Sequence, residues 1–261
     1  FLTTKIFTAS PLLPDGTPSD RSGLSRVPPG LFGQVATALD REGFCVHVHT
    51  IGDRAVMVSS VWDADVLHYA GYALGSYADG RFEADTWGRL THGPSYYAPS
   101  FFLDADGEPC LSLWMRGIAD EEAGWAGAHS VPYRLRVDGD RLVATPHPDV
   151  AAHRGAHVQD GAVDGLAADV EWEAADGELT VRSGGERVVT LRRTGGTVAI
   201  GTGSAEEASM PVDGDVRVVL DGPVLEVSSS AGLFGAAIRP AGADLAVTAN
   251  SGAVRTHILA R

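Results

Sequence analysis

Two apolar and aromatic runs, Tyr96 to Leu103 and Pro109 to Met115, flank the polar sequence Asp104-Ala105-Asp106-Gly107. Residues that favour strands on both sides of a turn, with a glycine free to take positive φ, predict a β-hairpin. From Trp62 onward, short alternating runs recur between Gly, Asp and Pro at spacings of roughly ten residues, which predicts an all-β region. Strands are expected near 66–77, 96–103, 109–116, 133–137 and 141–145. A second group is expected near 166–173, 178–182, 187–193, 215–220, 223–229, 233–239, 244–249 and 253–260. A helix-like interval from Pro148 to His153 separates the two groups. The turns of the second group, such as Asp176-Gly177 and Asp221-Gly222, suit a two-sheet sandwich. Before residue 62 the pattern differs. Leu31, Val35, Ala38 and Leu39 recur at helical spacing after Pro28-Pro29 and before Gly43, and Phe44 to His49 then reads as a buried strand. That order belongs to an α/β element.

Charge separates the same two parts. The chain of 261 residues has a formal net charge of −14, yet its first 61 residues hold equal numbers of acidic and basic side chains, so the excess lies beyond them. Such a surface argues against a nucleic-acid partner, which needs a basic face. An apolar fraction of 44% suffices for ordinary cores. Neither a secretory signal nor an apolar run of ~20 residues is visible, so no membrane partner is expected; the location stays open, with the cytoplasm slightly favoured. Cys45 and Cys110 each sit within an apolar strand, as buried free thiols or as a disulfide pair.

The hairpin carries a longer pattern. His92-Gly93, Tyr96-Tyr97-Ala98-Pro99, Phe102, Asp104, Gly107 and Trp114-Met115 fall in register on a signature of glycoside hydrolase family 32, the invertases, levanases and inulinases. Ser100 stands where that family usually has Gln, and Glu108 where it often has Arg. Val66 to Phe82 and Ala128 to Leu135 resemble the segments on either side of the signature. Pro146 to Val150 resembles the family's link to a terminal sandwich, and Leu220 to Val227 a strand within it. The resemblance implies a mainly β chain: the last blade of a β-propeller at 62–147, then a β-sandwich at 148–261, with a short α/β segment at 1–61.

Residues 43–56, Gly-Phe-Cys-Val-His-Val-His-Thr-Ile-Gly-Asp-Arg-Ala-Val, resemble a strand and loop of exoenzyme-like metal-dependent amidohydrolases. In those barrels a His at a strand's C-terminal end coordinates zinc, and His49 falls on that place. His47 and His49 alternate along the strand and so point the same way. The family's other ligands have no counterpart here, and a hydrogen-bonded His pair is the alternative.

Retaining glycosidases need two carboxyl groups roughly 5 Å apart. The motifs in which family 32 carries its nucleophile, its stabilising Asp and its acid/base Glu are not found in this chain. Asp104, Asp106 and Glu108 neighbour the hairpin but belong to its turn. What the resemblance leaves of a sugar site is aromatic: Tyr96, Tyr97 and Trp114 occupy places on or beside the family's substrate pocket, or they are core residues of a blade. The resemblance implies a partial glycoside hydrolase of the kind that acts on β-fructosides (sucrose, levan, inulin), non-catalytic by itself and without a cofactor, whose partner is a fructose-containing oligo- or polysaccharide. A carbohydrate-binding or assembly module and a metal-dependent amidohydrolase fragment are the alternatives. A blade without its neighbours exposes apolar faces, so a homo-oligomer or a complementing chain is expected to cover them.

Overall fold

The computed structural model of the chain describes residues 7–8, 45–63, 66–78, 81–120, 124–159, 161–203 and 208–260. Most of them are strand, as the alternating pattern predicts. The expected helix before Gly43 lies outside the described residues, as does the side chain of His47.

The first sheet runs in the order β1 (Phe7–Thr8), β2 (Cys45–Ile51), β3 (Arg54–Asp63), β4 (Val66–Ala78), β5 (Arg81–Arg89), and every pairing in it is antiparallel. The chain then passes through β6 (Thr91–His92) into a second antiparallel sheet. There β7 (Tyr96–Leu103) pairs with β8 (Pro109–Asp120), which pairs with β10 (Tyr133–Asp138) and β9 (Trp125–His129), and β10 pairs with β11 (Arg141–Pro146). Period-two alternation sets the faces of β8: Leu111, Leu113 and Met115 are buried, while Ser112, Trp114 and Arg116 are not. The inward set packs against Val56, Val58 and Leu74 of the first sheet. The two sheets therefore stack face to face, as neighbouring propeller blades do.

One helical turn, α1 (Pro148–Ala152), follows; Pro148 suits a first turn and His147 caps it by accepting the Asp149 N–H through Nδ1. Beyond it a seven-stranded sheet has the order β12 (Arg154–Val158), β23 (Val254–Leu259), β14 (Ala167–Trp172), β19 (Val216–Asp221), β20 (Val224–Ser229), β21 (Gly232–Ala237), β6. A six-stranded sheet has the order β13 (Ala162–Asp164), β22 (Asp244–Ala249), β15 (Gly177–Ser183), β16 (Glu186–Thr194), β17 (Thr197–Gly201), β18 (Ala208–Pro211). Their facing sides share one core, in which Val170, Trp172, Val218 and Leu220 meet Leu179, Val181, Leu191 and Ile200. The other side of the seven-stranded sheet rests partly on the blades, and β6 joins its edge by a parallel pairing with β21.

The front of the described chain departs from the amidohydrolase reading. A barrel strand runs parallel to its neighbours and leads into a helix, whereas β2 turns at Gly52, with φ of 64°, straight into antiparallel β3. Ile51-Gly52-Asp53-Arg54 is thus a hairpin turn of the first blade-like sheet. The boundary expected between residues 61 and 62 falls inside β3.

Candidate functional site

On the outward side of the second sheet, aromatic residues line up across three strands. Tyr97 of β7 is the register partner of Trp114 of β8, and Trp114 is the partner of His129 of β9. Directly opposed residues of an antiparallel pair share a face. The Tyr97 and Trp114 rings lie 5.7 Å apart at 51°, and the Arg116 guanidinium sits 5.5 Å from the Tyr97 ring centre. Trp114 is 42% exposed, and Phe102 and Trp125 of the neighbouring strands are exposed to a similar degree. Gly127, with φ of 79°, leaves room for the indole: a Cβ there would collide with Trp114 Nε1.

Tyr96, expected beside this wall, instead faces the core and is 2% exposed. Its hydroxyl donates to Glu226 Oε2 at 2.8 Å, next to the Tyr133 hydroxyl, which does the same. Glu226 Oε1 accepts the Val131 N–H at 2.8 Å. Glu226 belongs to β20, so the buried carboxyl ties the two-sheet unit to the second blade-like sheet. Burial raises its pKa from 4.5 to about 7, against the pull of the three donors. The signal for this residue in the sequence is a lone acid inside the apolar run Val224-Leu225-Glu226-Val227, because a buried charge requires dedicated partners.

Asp104 holds the hairpin's turn. Its Oδ1 accepts from Asp106 N and Glu108 N, both at 2.9 Å, while Oδ2 meets Arg134 at 2.5 Å and His147 Nε2 at 3.0 Å. These bonds, that to His147 first, keep its carboxyl well below the usual carboxylate range. The Cys110 thiol lies 3.9 Å from Oδ2, buried and free, so no disulfide joins Cys45 to Cys110. Asp104, Cys110 and His147 offer ligand atoms within 4.8 Å of one another, the one such trio among the described residues. The chemistry does not suit a metal. His147 Nδ1 accepts the Asp149 N–H, which leaves the proton, not a lone pair, on the Nε2 that faces Asp104. The Arg134 guanidinium already supplies the cation, and burial pushes the Cys110 thiol up, away from a thiolate.

His49, the candidate zinc ligand, is not brought together with further ligands among the described residues. Its ring stacks on Phe101 at 5.7 Å, and burial lowers its pKa.

Comparison with known proteins accords with this architecture. Residues 40–146 match the family model described as the glycosyl hydrolases family 32 N-terminal domain. That match begins within the segment that resembled an amidohydrolase and covers both blade-like sheets from β2 onward. A sucrose-6-phosphate hydrolase of Zymomonas mobilis is 26% identical over 114 residues, 39% of this chain and 22% of that protein. The beta-fructofuranosidase insoluble isoenzyme 4 of Oryza sativa is 33% identical over 113 residues, 36% of this chain and 19% of that protein. Among solved structures, a GH32 beta-fructofuranosidase of Bombyx mori superposes with a TM-score of 0.70 at 20% identity, covering 84% of this chain and 54% of that one. An exo-inulinase of Aspergillus awamori gives 0.63 at 15% identity, covering 84% and 58%. The chain thus spans about a fifth of the curated relatives and a little over half of the solved structures.

Proposed function

We propose, on the premise that this chain carries blades of a glycoside hydrolase family 32 propeller, that it binds β-fructosides on the Tyr97–Trp114 wall and does not hydrolyse them by itself. The pairing of the exposed Trp114 ring with the half-buried Tyr97 ring directly opposite it carries this reading. Ring faces stack on the apolar faces of sugars, and the Tyr97 hydroxyl and the Trp114 N–H suit sugar hydroxyls. Relatives named for sucrose-6-phosphate hydrolysis, β-fructofuranosidase and exo-inulinase activity point to the fructoside class.

Hydrolysis by a retaining mechanism needs one ionised and one protonated carboxyl roughly 5 Å apart. Asp104, Asp106 and Glu108 sit at the hairpin's turn, ahead of β8; even Glu108 is six positions from Trp114, or about 20 Å at roughly 3.3 Å per residue. Glu226 has the raised pKa of an acid catalyst, but its oxygens are engaged by Tyr96, Tyr133 and Val131 and it is 3% exposed.

Two measurements test the reading. Reducing-sugar release from sucrose and levan is expected to stay at blank beside an intact family member. Calorimetric titration with fructo-oligosaccharides is expected to give heat that Trp114→Ala abolishes. Release well above blank overturns the non-catalytic half, and absence of wild-type heat overturns the binding half.

A second reading, assembly with a complementing chain or a second copy, is favoured by the exposed rings of Phe102, Trp114 and Trp125 on one sheet face. Sedimentation analysis showing a monomer at all concentrations removes self-assembly.

A further inference from the structure

The outward aim of Tyr97 depends on a parity problem in β7. Tyr96 and Phe101 both face the core shared with the first sheet. They are five residues apart, and strict alternation would send them to opposite sides. Their partners on β8, Met115 and Leu111, are four apart and both face inward without difficulty. One extra residue must therefore be absorbed on β7 between them. It is absorbed between Tyr97 and Ser100, where the register shifts: Tyr97 still opposes Trp114, and Ser100 opposes Ser112.

Ala98 occupies that bulge with φ of 47°, the one non-glycine residue with positive φ among those described. A side chain in this region is disfavoured and persists only where the surroundings hold it. A bulge also takes the extra residue's N–H out of the ladder. Here the Ala98 N–H donates to Ser60 Oγ at 3.1 Å. Ser60 lies on β3, in the other blade-like sheet, and is itself buried. One hydroxyl thus satisfies the donor that the bulge strands and clamps it from across the core.

We propose that Ser60 is a positioning residue: by holding the left-handed Ala98 bulge from the adjacent sheet, it keeps Tyr97 on the outward face against Trp114. If the bulge opens, the extra residue must be taken up elsewhere, and either Tyr96 leaves the core or Phe101 does. Because the turn holds the Phe101 end in register through the bonds between Asp104 and Glu108, the shift falls on the Tyr96 end, and Tyr97, one position from Tyr96, loses its place opposite Trp114. The relevance to ligand binding rests on the fructoside reading above; the geometry of the ring pair does not.

The test is built to separate the two. The near-UV circular dichroism that Trp114→Ala removes reports the ring pair without any ligand, and titration with fructo-oligosaccharides reports the wall. Ser60→Ala is expected to remove most of that near-UV component and to weaken oligosaccharide binding by about tenfold, the scale of one lost hydrogen bond. Ser60→Thr, which keeps the hydroxyl, is expected to retain both signals. Ala98→Gly in the Ser60→Ala background is expected to restore them, since glycine takes positive φ without strain. Should Ser60→Ala fail to fold, Ala98→Val, which strains the bulge while leaving Ser60 in place, is expected to lose the same near-UV component. A Ser60→Ala protein with an unchanged near-UV spectrum overturns the proposal. So does a loss that Ala98→Gly leaves unrestored, or an Ala98→Val protein that keeps the component. A wild type that binds no fructoside overturns the functional reading, and the spectral comparison still decides the role of Ser60.

Discussion

Replacing Glu226 with glutamine should flatten the pH dependence of stability over the neutral range. The Glu226 carboxyl is almost wholly buried between β20 and the second blade-like sheet, and burial lifts its pKa from 4.5 to about 7. Because the folded value lies above the unfolded one, folding favours the neutral carboxyl. The stabilisation is complete below pH 4.5, is lost as the pH climbs through about 7, and is absent above that. At ~1.4 kcal/mol per pKa unit, the rise corresponds to about 3 kcal/mol of unfolding free energy withdrawn across this window. Carboxyls held low by arginines, such as Glu171 and Glu178, act in the opposite sense and at lower pH, so a paired comparison is needed. The glutamine side chain would keep an acceptor for the Val131 N–H and carry no charge at any pH. Urea denaturation of both proteins from about pH 5 to about pH 8 measures the difference directly. The wild type should lose about 3 kcal/mol relative to Glu226→Gln across that range. A difference that stays constant over the same range would refute the reasoning, since it would mean the three donated hydrogen bonds offset the burial.

Two further outcomes follow from the hairpin and its neighbours. Gly127→Ala should displace the Trp114 indole, because the new Cβ runs into Nε1 at a backbone φ of 79°; a red-shifted tryptophan emission, weakened fructo-oligosaccharide binding and a loss of about 1 kcal/mol of stability from alanine at positive φ would be the signs. Asp104→Ala should lower the urea midpoint well below that of Asp106→Ala. Asp104 holds Asp106 N, Glu108 N, Arg134 and His147 together, whereas the Asp106 side chain is 82% exposed; equal midpoints for the two variants would contradict this account.

Most of the strand set was legible because alternation and turn chemistry agree. The expected hairpin of 96–103 and 109–116 is β7 and β8, and the turn closes with Gly107 N donating to Asp104 O at 3.0 Å. Strands such as β19, β20 and β22 lie within two residues of their expected bounds. What escaped has physical reasons. β3 follows a turn that fits a barrel loop equally well, and β5, Arg-Phe-Glu-Ala-Asp-Thr-Trp-Gly-Arg, carries too many charges to stand out as a strand. Tyr96 was expected near a ligand because neighbouring aromatics in a signature look alike in one dimension. Only the face of each residue separates Tyr96 from Tyr97, and the bulge that sets those faces has no signal beyond Ala98-Pro99. Glu226 needs partners from 93 to 130 residues away, beyond the reach of any local pattern.

Those separations also bear on the order in which the chain is assembled. β6 pairs with β21, Ser95 N donates to Gly235 O, and Tyr96 donates to Glu226, so the blade-like sheets are fastened by residues translated more than a hundred positions later. Contacts of such span close slowly, because loop entropy is lost before they form. During synthesis on the ribosome, the second blade-like sheet emerges with His92, Ser95 and Tyr96 still awaiting β20 and β21. Its folding is therefore postponed until β20 and β21 leave the exit tunnel, and a nascent chain arrested near α1 would present an unfastened sheet to chaperones and proteases.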